Sequence, residues 1–146
     1  MYMKLKDGKS KVLTLSYDDG VVQDIRLIGI MDRHGLKGTF NLNYGLMRSG
    51  FTWEHECGMT VRRIPEDQVM TVYQGHEIAS HSWSHPELTK ISKAVVVEQM
   101  TKTRNKIQEV TGTDAKLMRP PYGAVNKSVK ATAAEQGIVL VNWSVD

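Results

Sequence analysis

Two adjacent carboxylates follow a predicted buried strand near the start of the chain. Asp18 and Asp19 come directly after Leu15-Ser16-Tyr17, and Gly20 follows them. Neighbouring like charges disfavour each other's ionisation unless a cation lies nearby. A solvated turn explains the same residues, because Asp-Gly is a common turn dipeptide. The pair therefore leaves two interpretations open, a surface turn and a site that binds a cation.

Two histidines four residues apart are the second candidate for chemistry. His81 and His85 follow a predicted short strand, and Pro86 comes next. Since proline disfavours a helical residue before it, a turn is expected to bring the two imidazoles to one point. Taken alone, such a pair also occurs on surfaces or at the edge of a core. With a carboxylate from another strand end, the pair suits zinc with an open position, or divalent iron or cobalt.

Two carboxylates allow metal binding and base catalysis to be divided between them. One of Asp18 and Asp19 can bind a metal while the other acts as a general base. Arg119 follows a further predicted strand and can orient the free carboxylate, although a structural ion pair also explains it. Pro120-Pro121 stiffens the next turn, and backbone N–H groups of Tyr122-Gly123 would then stabilise an oxyanion.

The elements that must position these residues are strands that alternate with helices. Strands are predicted over residues 11–17, 37–42, 75–80, 115–118 and 138–143, and helices over 21–34, 64–73, 93–111 and 126–136. Residues 43–63 lack periodicity and are predicted to form an extended loop or a small excursion. The alternation predicts an α/β fold with a parallel sheet, open or curled into part of a barrel. The candidate residues follow strands, which is where such sheets place their sites.

Composition excludes several classes of protein. The chain has 146 residues, 40% hydrophobic and 24% charged, which suits one soluble globular domain with a real core. A net charge of +3 without a basic block does not indicate a nucleic-acid partner. Cys57 is the only cysteine, which excludes an intrachain disulfide and a cysteine-based metal site. No apolar run approaches the ~20 residues of a membrane span.

Localisation is left open by the N-terminal segment. Residues 1–10 are polar and lysine-rich and contain no apolar signal-peptide core. The chain as it stands is therefore expected to be cytoplasmic. A trimmed form of an extracellular or cell-wall protein would have the same sequence.

Three segments, in this order along the chain, make the sequence similar to one family. Tyr17-Asp18-Asp19-Gly20, His81-Ser82-Trp83-Ser84-His85 and Arg119-Pro120-Pro121-Tyr122-Gly123 resemble motifs of the polysaccharide deacetylases, the NodB-homology domain of carbohydrate esterase family 4. The resemblance extends over about residues 12–146. It implies a single domain, residues 1–146, with the distorted (β/α) barrel of that family.

The resemblance also implies a role for each site residue. Asp19, His81 and His85 would hold one divalent metal, usually zinc in this family, with cobalt, nickel or iron as alternatives. Asp18 would be the base that activates water, and Arg119 would position it.

An acetylated carbohydrate is the substrate that the resemblance implies. The acetyl group would be the N-acetyl of chitin or peptidoglycan, or an O-acetyl on xylan. Pro121, Tyr122 and Trp143 would contact the substrate, and the Tyr122 N–H would help to bind the oxyanion. Two alternatives stay open: a small-molecule amide or imide hydrolase of the same fold, and a carbohydrate-binding module without catalysis.

The sequence departs from the family pattern at its end. Asp146 resembles the opening residue of a fourth motif, but neither the rest of it nor the fifth motif, with its acid histidine, is in this sequence. We therefore expect a C-terminally truncated barrel of about five βα units, with an exposed sheet edge that permits self-association. We also expect slow deacetylation, because loss of a general acid costs ~10²–10⁴ in rate.

Overall fold

The computed structural model describes residues 8–145. Residues 1–7 and Asp146 lie outside the described part. The expectations for most of the N-terminal segment and for Asp146 as the opening residue of the fourth motif therefore concern residues outside it. Within residues 8–145, no helix combines the length and the apolar character needed to cross a membrane.

The described chain alternates strands and helices, as the sequence predicts. In chain order the elements are β1 (Ser16–Asp18), α1 (Gln23–Arg33), β2 (Thr39–Leu42), α2 (Tyr44–Arg48), β3 (Thr52–Glu54), β4 (Thr60–Arg62), α3 (Val69–Val72), β5 (Glu77–Ser80), α4 (Lys93–Thr111), β6 (Leu117–Met118), α5 (Lys127–Glu135) and β7 (Val139–Leu140). Short 3-10 turns lie at Glu66–Gln68, Leu88–Lys90 and Pro121–Gly123.

Five strands form one parallel sheet in the order β1-β2-β5-β6-β7. The register places Asp18 opposite Asn41, and Ser80 opposite both Leu42 and Met118. All five strands therefore end at the same edge of the sheet, which is the edge where parallel sheets carry their sites. The architecture is that of an incomplete (β/α) barrel.

The two long C-terminal helices begin at side-chain caps. Ser92 Oγ accepts a hydrogen bond from the Val95 N–H at the start of α4, and Asn126 Oδ1 accepts one from the Val129 N–H at the start of α5. Gly112 ends α4 in the left-handed conformation, with φ of 72°. These caps satisfy N–H and C=O groups that a helix end leaves without partners.

One prediction about local structure is wrong, and for one other segment the structure decides between two predicted alternatives. The first strand begins at Ser16 rather than at residue 11, and Val12 and Leu13 are 70% and 83% exposed. Among the described residues its one partner strand is β2, which starts at Thr39, and no strand of residues 8–145 lies beside the residues before Leu15.

The segment 43–63 is a small excursion with its own structure rather than an extended loop. It contains α2 and an antiparallel hairpin formed by β3 and β4. The Phe51 ring stacks on the Trp53 ring, with the centroids 6.0 Å apart. The guanidinium carbon of Arg63 lies over the Trp53 ring, 4.8 Å from its centroid. Each hairpin strand has only three residues, too few for an alternating pattern to identify it from sequence.

Two apolar clusters hold the helices against the sheet. The larger cluster joins β2 to α1, α2, α3 and α4 and contains the fully buried Phe40, Leu42 and Ile107. The smaller one joins α4 and α5 to β6 and contains Met100 and Met118. Because α4 contributes to both clusters, it connects the two halves of the sheet.

The sheet has an exposed edge at β7. Val139 is 56% exposed, and Val141, just after the strand, is 40% exposed. Unpaired strand edges of this kind permit association with another chain. Self-association through this edge stays a prediction.

Candidate active site

The strand ends bring the predicted site residues together. Asp18 is the last residue of β1 and Asp19 follows it, while His81 comes directly after β5 and Arg119 directly after β6. His85 returns to the same place through the turn at residues 82–85. Residues more than 100 positions apart in the sequence therefore meet at one edge of the sheet, as in the 3.0 Å pair between Asp18 Oδ1 and Arg119 Nη1.

Asp19, His81 and His85 form a cluster with the spacing of metal ligands. One ligand atom from each lies within 4.8 Å of the other two. His81 Nε2 and His85 Nε2 are 3.1 Å apart, and Asp19 Oδ1 lies 4.0 Å from the first and 3.8 Å from the second. Two imidazole nitrogens and a carboxylate oxygen are a donor set for zinc and for other divalent transition metals.

Hydrogen bonding and burial leave both imidazoles ready to bind a cation. His81 Nδ1 lies 2.7 Å from the Arg119 carbonyl oxygen, which can only accept, so Nδ1 carries a proton and Nε2 is the nitrogen that faces the cluster. Burial lowers the pKa of His85, and the neighbouring His81 lowers it further. A neutral imidazole is the form that binds metal.

Asp19 provides the test of whether a cation fits here. Its Oδ1 is buried and has no hydrogen-bond donor among the described residues. Arg63 Nη1 lies 2.9 Å away but donates instead to the Asp19 carbonyl and to Asn43 Oδ1. Leaving a buried carboxylate oxygen without a hydrogen-bond donor is costly, even with a guanidinium charge nearby. A metal ion bound by the cluster would satisfy this oxygen, so the residues fit the group.

Asp18 has different surroundings from its neighbour. Its Oδ1 accepts hydrogen bonds from Arg119 at 3.0 Å and from Asn41 at 2.8 Å. Its Oδ2 lies 3.8 Å from His81 Nε2, on the side of the metal-ligand cluster. Arg119 is buried and also donates to Ser16 Oγ. The carboxylate is thus fixed through one oxygen, and the other is left to face the cluster.

Left-handed backbone conformations concentrate at this site. In residues 8–145, the non-glycine residues with positive φ are Asp19 (81°), Ser82 (68°), His85 (61°) and Tyr122 (60°). Such conformations cost of order 1–3 kcal/mol each for residues with a side chain and persist where the surroundings enforce them. Three of these four strained residues, Asp19, Ser82 and His85, lie in the two segments that form the metal-ligand cluster.

The 119–123 turn and Trp143 form one side of the site. Tyr122 is 66% exposed, and its ring contacts the His85 ring with centroids 4.7 Å apart. Trp143 is 40% exposed, and its ring lies 5.6 Å from the Arg119 guanidinium. Pro121 is buried in the turn. Two of the three predicted substrate contacts are therefore open to solvent, while the third supports the turn.

A family comparison decides the assignment. Residues 5–141 match the family model described as polysaccharide deacetylase. The chain belongs to the polysaccharide deacetylase family. The carbohydrate esterase family 4 resemblance is therefore confirmed.

Individual relatives agree with this assignment. The chain is 36% identical over 143 residues to the peptidoglycan-N-acetylglucosamine deacetylase PgdA of Listeria monocytogenes, covering 97% of this chain and 27% of that protein. It is 31% identical over 131 residues to chitin deacetylase 1 of Cryptococcus neoformans var. grubii, covering 89% and 25%. The chain spans about a quarter of the length of these two curated relatives.

A solved structure confirms the fold. The Streptococcus pyogenes deacetylase PplD in complex with acetate matches with a TM-score of 0.75 and 21% identity, covering 88% of this chain and 54% of that one. The fold is therefore that of the polysaccharide deacetylases.

Sequence reasoning missed three side chains that support the deacetylase motifs. Asn41 bonds Asp18, Asn43 donates to the carbonyls of His81 and Ser82, and Arg63 donates to the Asp19 carbonyl. The sequence could have identified Asn41 and Asn43, because they are polar residues at alternate positions in and after the buried strand β2. It could not have identified Arg63, because the position of Arg63 depends on the unpredicted hairpin.

Proposed function

We propose that this chain carries the metal-binding and base residues of a metal-dependent carbohydrate deacetylase. One observation supports this most strongly: the Asp19, His81 and His85 cluster lies beside a second carboxylate, Asp18, that is held by a buried arginine. The two carboxylates thus have the surroundings that a ligand and a base require.

Asp19, His81 and His85 would hold one divalent metal, with zinc the ion that suits this donor set best and cobalt, nickel or iron as alternatives. Bound there, the metal would supply Lewis-acid activation of water and polarisation of the acetyl carbonyl.

Asp18 would take the proton from the attacking water. Its Oδ2 faces the cluster, whereas its Oδ1 is occupied by Arg119 and Asn41. The arginine and the asparagine would keep the carboxylate oriented as water attacks, so that little reorganisation is needed in the transition state. The Tyr122 N–H, in its left-handed turn beside His85, would donate to the developing oxyanion.

The substrate would be an acetyl group on a carbohydrate. The names of the two relatives, a peptidoglycan deacetylase and a chitin deacetylase, support an N-acetylated glycan, with an O-acetylated xylan as the other family substrate. Trp143 and Tyr122 present exposed aromatic surface beside the site, on which a sugar ring could stack. An open, aromatic-flanked site favours a glycan over a small cyclic amide or imide.

The test is acetate release by zinc-loaded protein from N-acetylated chitooligosaccharides, peptidoglycan and acetylxylan. We expect release from at least one of them, and we expect a chelator to abolish it and added zinc to restore it. A small amide or imide panel is assayed beside them. Hydrolysis of that panel alone would support the small-molecule alternative, and no hydrolysis of any substrate would contradict the proposal.

A further inference from the structure

Every backbone N–H group from His81 to His85, the turn between the two candidate ligand histidines, donates a hydrogen bond. The His81 N–H donates to the Leu42 carbonyl, the Ser82 N–H to Ser80 Oγ, and the His85 N–H to Ser82 Oγ. The remaining two N–H groups, of Trp83 and Ser84, both donate to the side chain of Gln99. This turn is where two of the left-handed residues lie, so it depends on its surroundings for its shape.

Gln99 contacts the turn from α4, which lies behind it. Its side chain is on the buried face of the helix, with 8% of the residue exposed. Gln99 Oε1 accepts from the Trp83 N–H at 3.1 Å and from the Ser84 N–H at 2.9 Å, and Nε2 donates to Ser84 Oγ at 3.0 Å. A single amide therefore connects the helix to the centre of the turn.

These bonds have a geometric consequence for His85. The two bound N–H groups stand immediately before His85, and no other acceptor for them is seen among the described residues. Without the Gln99 oxygen, both N–H groups would lose their acceptor, and their two peptide groups would keep only the bonds at their carbonyls, from Asn43 Nδ2 to Ser82 and from the Gly45 N–H to Trp83. A tilt of these peptide groups moves His85 relative to His81, which is anchored separately through Leu42 and Arg119.

We propose that Gln99 is a positioning residue for the metal centre, which sets the distance between the two histidines through the Trp83 and Ser84 N–H groups. This inference rests on the proposed function, because it assigns Gln99 to the same metal site. Groups of this kind, one step removed from the ligands, typically change metal affinity by 10–100-fold when they are lost.

Three substitutions separate positioning from general stability. Gln99→Met keeps the length and apolar packing of the side chain but removes the acceptor. Gln99→Glu keeps an oxygen in the acceptor position and is the conservative rescue. Thr103→Val is the matched control, because Thr103 is fully buried one turn further along α4 and its hydroxyl donates to the backbone carbonyl of Gln99 within the helix, not to the histidine turn.

Two readouts are measured on the full chain. The first is zinc affinity, from competition with a chromophoric chelator. The second is the ¹⁵N–¹H spectrum of the metal-free protein, with the Trp83 and Ser84 amides and the His81 and His85 side chains assigned. Circular dichroism and thermal melts confirm that each variant is folded.

We expect Gln99→Met to weaken zinc binding by about 10-fold or more and to shift the Trp83 and Ser84 amide signals, whereas Gln99→Glu and Thr103→Val keep the wild-type affinity. Wild-type affinity and spectra in a folded Gln99→Met protein would overturn the inference, and so would equal losses in Thr103→Val. If the unsubstituted chain binds no zinc, the proposed function fails, and the metal-free spectra alone decide whether Gln99 positions the histidine turn.

Discussion

Asp18 and Asp19 are neighbours in the chain, yet their carboxylates have different partners. Asp18 accepts hydrogen bonds from Arg119 and Asn41, while the buried oxygen of Asp19 faces two imidazoles. The left-handed conformation of Asp19, with φ of 81°, separates the two side chains. Under the proposed function, environment rather than residue type would assign one carboxylate to the metal and the other to the proton.

Replacing each carboxylate by its amide should separate these roles. We expect Asp18→Asn to keep zinc binding and to lower acetate release by about 10²–10⁴, the usual contribution of a general base. Asp19→Asn should instead lose zinc, because an amide oxygen is a weaker ligand than a carboxylate. Zinc titration and acetate assays on both variants check this. Loss of zinc in Asp18→Asn with retention in Asp19→Asn would reverse the assignment.

The cluster of Asp19, His81 and His85 could be predicted from the sequence because its signal is local. Each lies within a short segment directly after an apolar strand, and parallel strands end together. The supporting residues could not be predicted in this way. Gln99 lies mid-helix, and Arg63 lies at the end of a three-residue strand, so both reach the site only through contacts between distant segments.

At the scale of elements, α2 packs against the histidine turn through a glycine. A Cβ at Gly45 would lie 2.5 Å from Trp83 Nε1 and 2.7 Å from the Trp83 carbonyl oxygen. The Gly45 N–H also donates to that carbonyl at 2.9 Å. The close approach of backbone to backbone at this point requires the absence of a side chain.

Gly45→Ala should therefore destabilise the fold and disturb the histidine turn. We expect a loss of roughly 1–3 kcal/mol, the usual cost of overpacking, together with weaker zinc binding. Gly29→Ala is the control, because a Cβ there meets nothing within 4 Å and Gly29 lies inside α1. Denaturant unfolding of both variants is the measurement. Equal stability of the two would show that the close contact carries no cost.

A buried carboxyl group joins α1 to the end of α3. Asp24 is 4% exposed and accepts a hydrogen bond from the Tyr73 hydroxyl at 2.7 Å. Burial raises the pKa of Asp24 to about 6, against an ordinary value of 3.8. Because the folded state holds this proton more tightly than the unfolded state, the stability contributed is full below about pH 4 and is lost as the pH rises to about 6.

Asp24→Asn should remove this pH dependence. The amide oxygen can still accept from Tyr73 but carries no charge, so we expect the variant to be more stable than wild type at pH 8 by up to about 3 kcal/mol. At pH 4 the two should be nearly equal. Thermal melts across this pH range check the prediction. A variant that is less stable than wild type at pH 8 would contradict it.

The helices of nine residues or more followed from the sequence. The 19-residue helix α4 has both a cap and a closing glycine, and its bounds agree with the prediction. The hairpin of β3 and β4 was missed because its strands have three residues each and are held by tertiary contacts, among them Arg63 over Trp53. Short elements that depend on distant partners leave no periodic signal.

At the scale of the whole molecule, the parallel sheet was predictable from the alternation of elements. The degree to which this sheet closes into a barrel was not predictable, because closure depends on strands that pair across the barrel.

The exposed edge at β7 leads to a test of self-association. We expect concentration-dependent association in sedimentation velocity, abolished by Val141→Lys at that edge.

The control for this test is Ile25→Lys, which places the same charge on the exposed face of α1, where Ile25 is 50% exposed. It should associate as the wild type does. A chain that stays monomeric at every concentration would rule out self-association through β7 without affecting the account of the active site.

The measurement that tests the central claim most directly is the metal content of the purified chain after zinc is added and excess removed. The account predicts one zinc per chain, lost in His81→Ala and kept in His34→Ala, because His34 is an exposed residue at the end of α1. A chain that holds no metal, or that holds it equally well in His81→Ala, would contradict the metal site on which the proposed function rests.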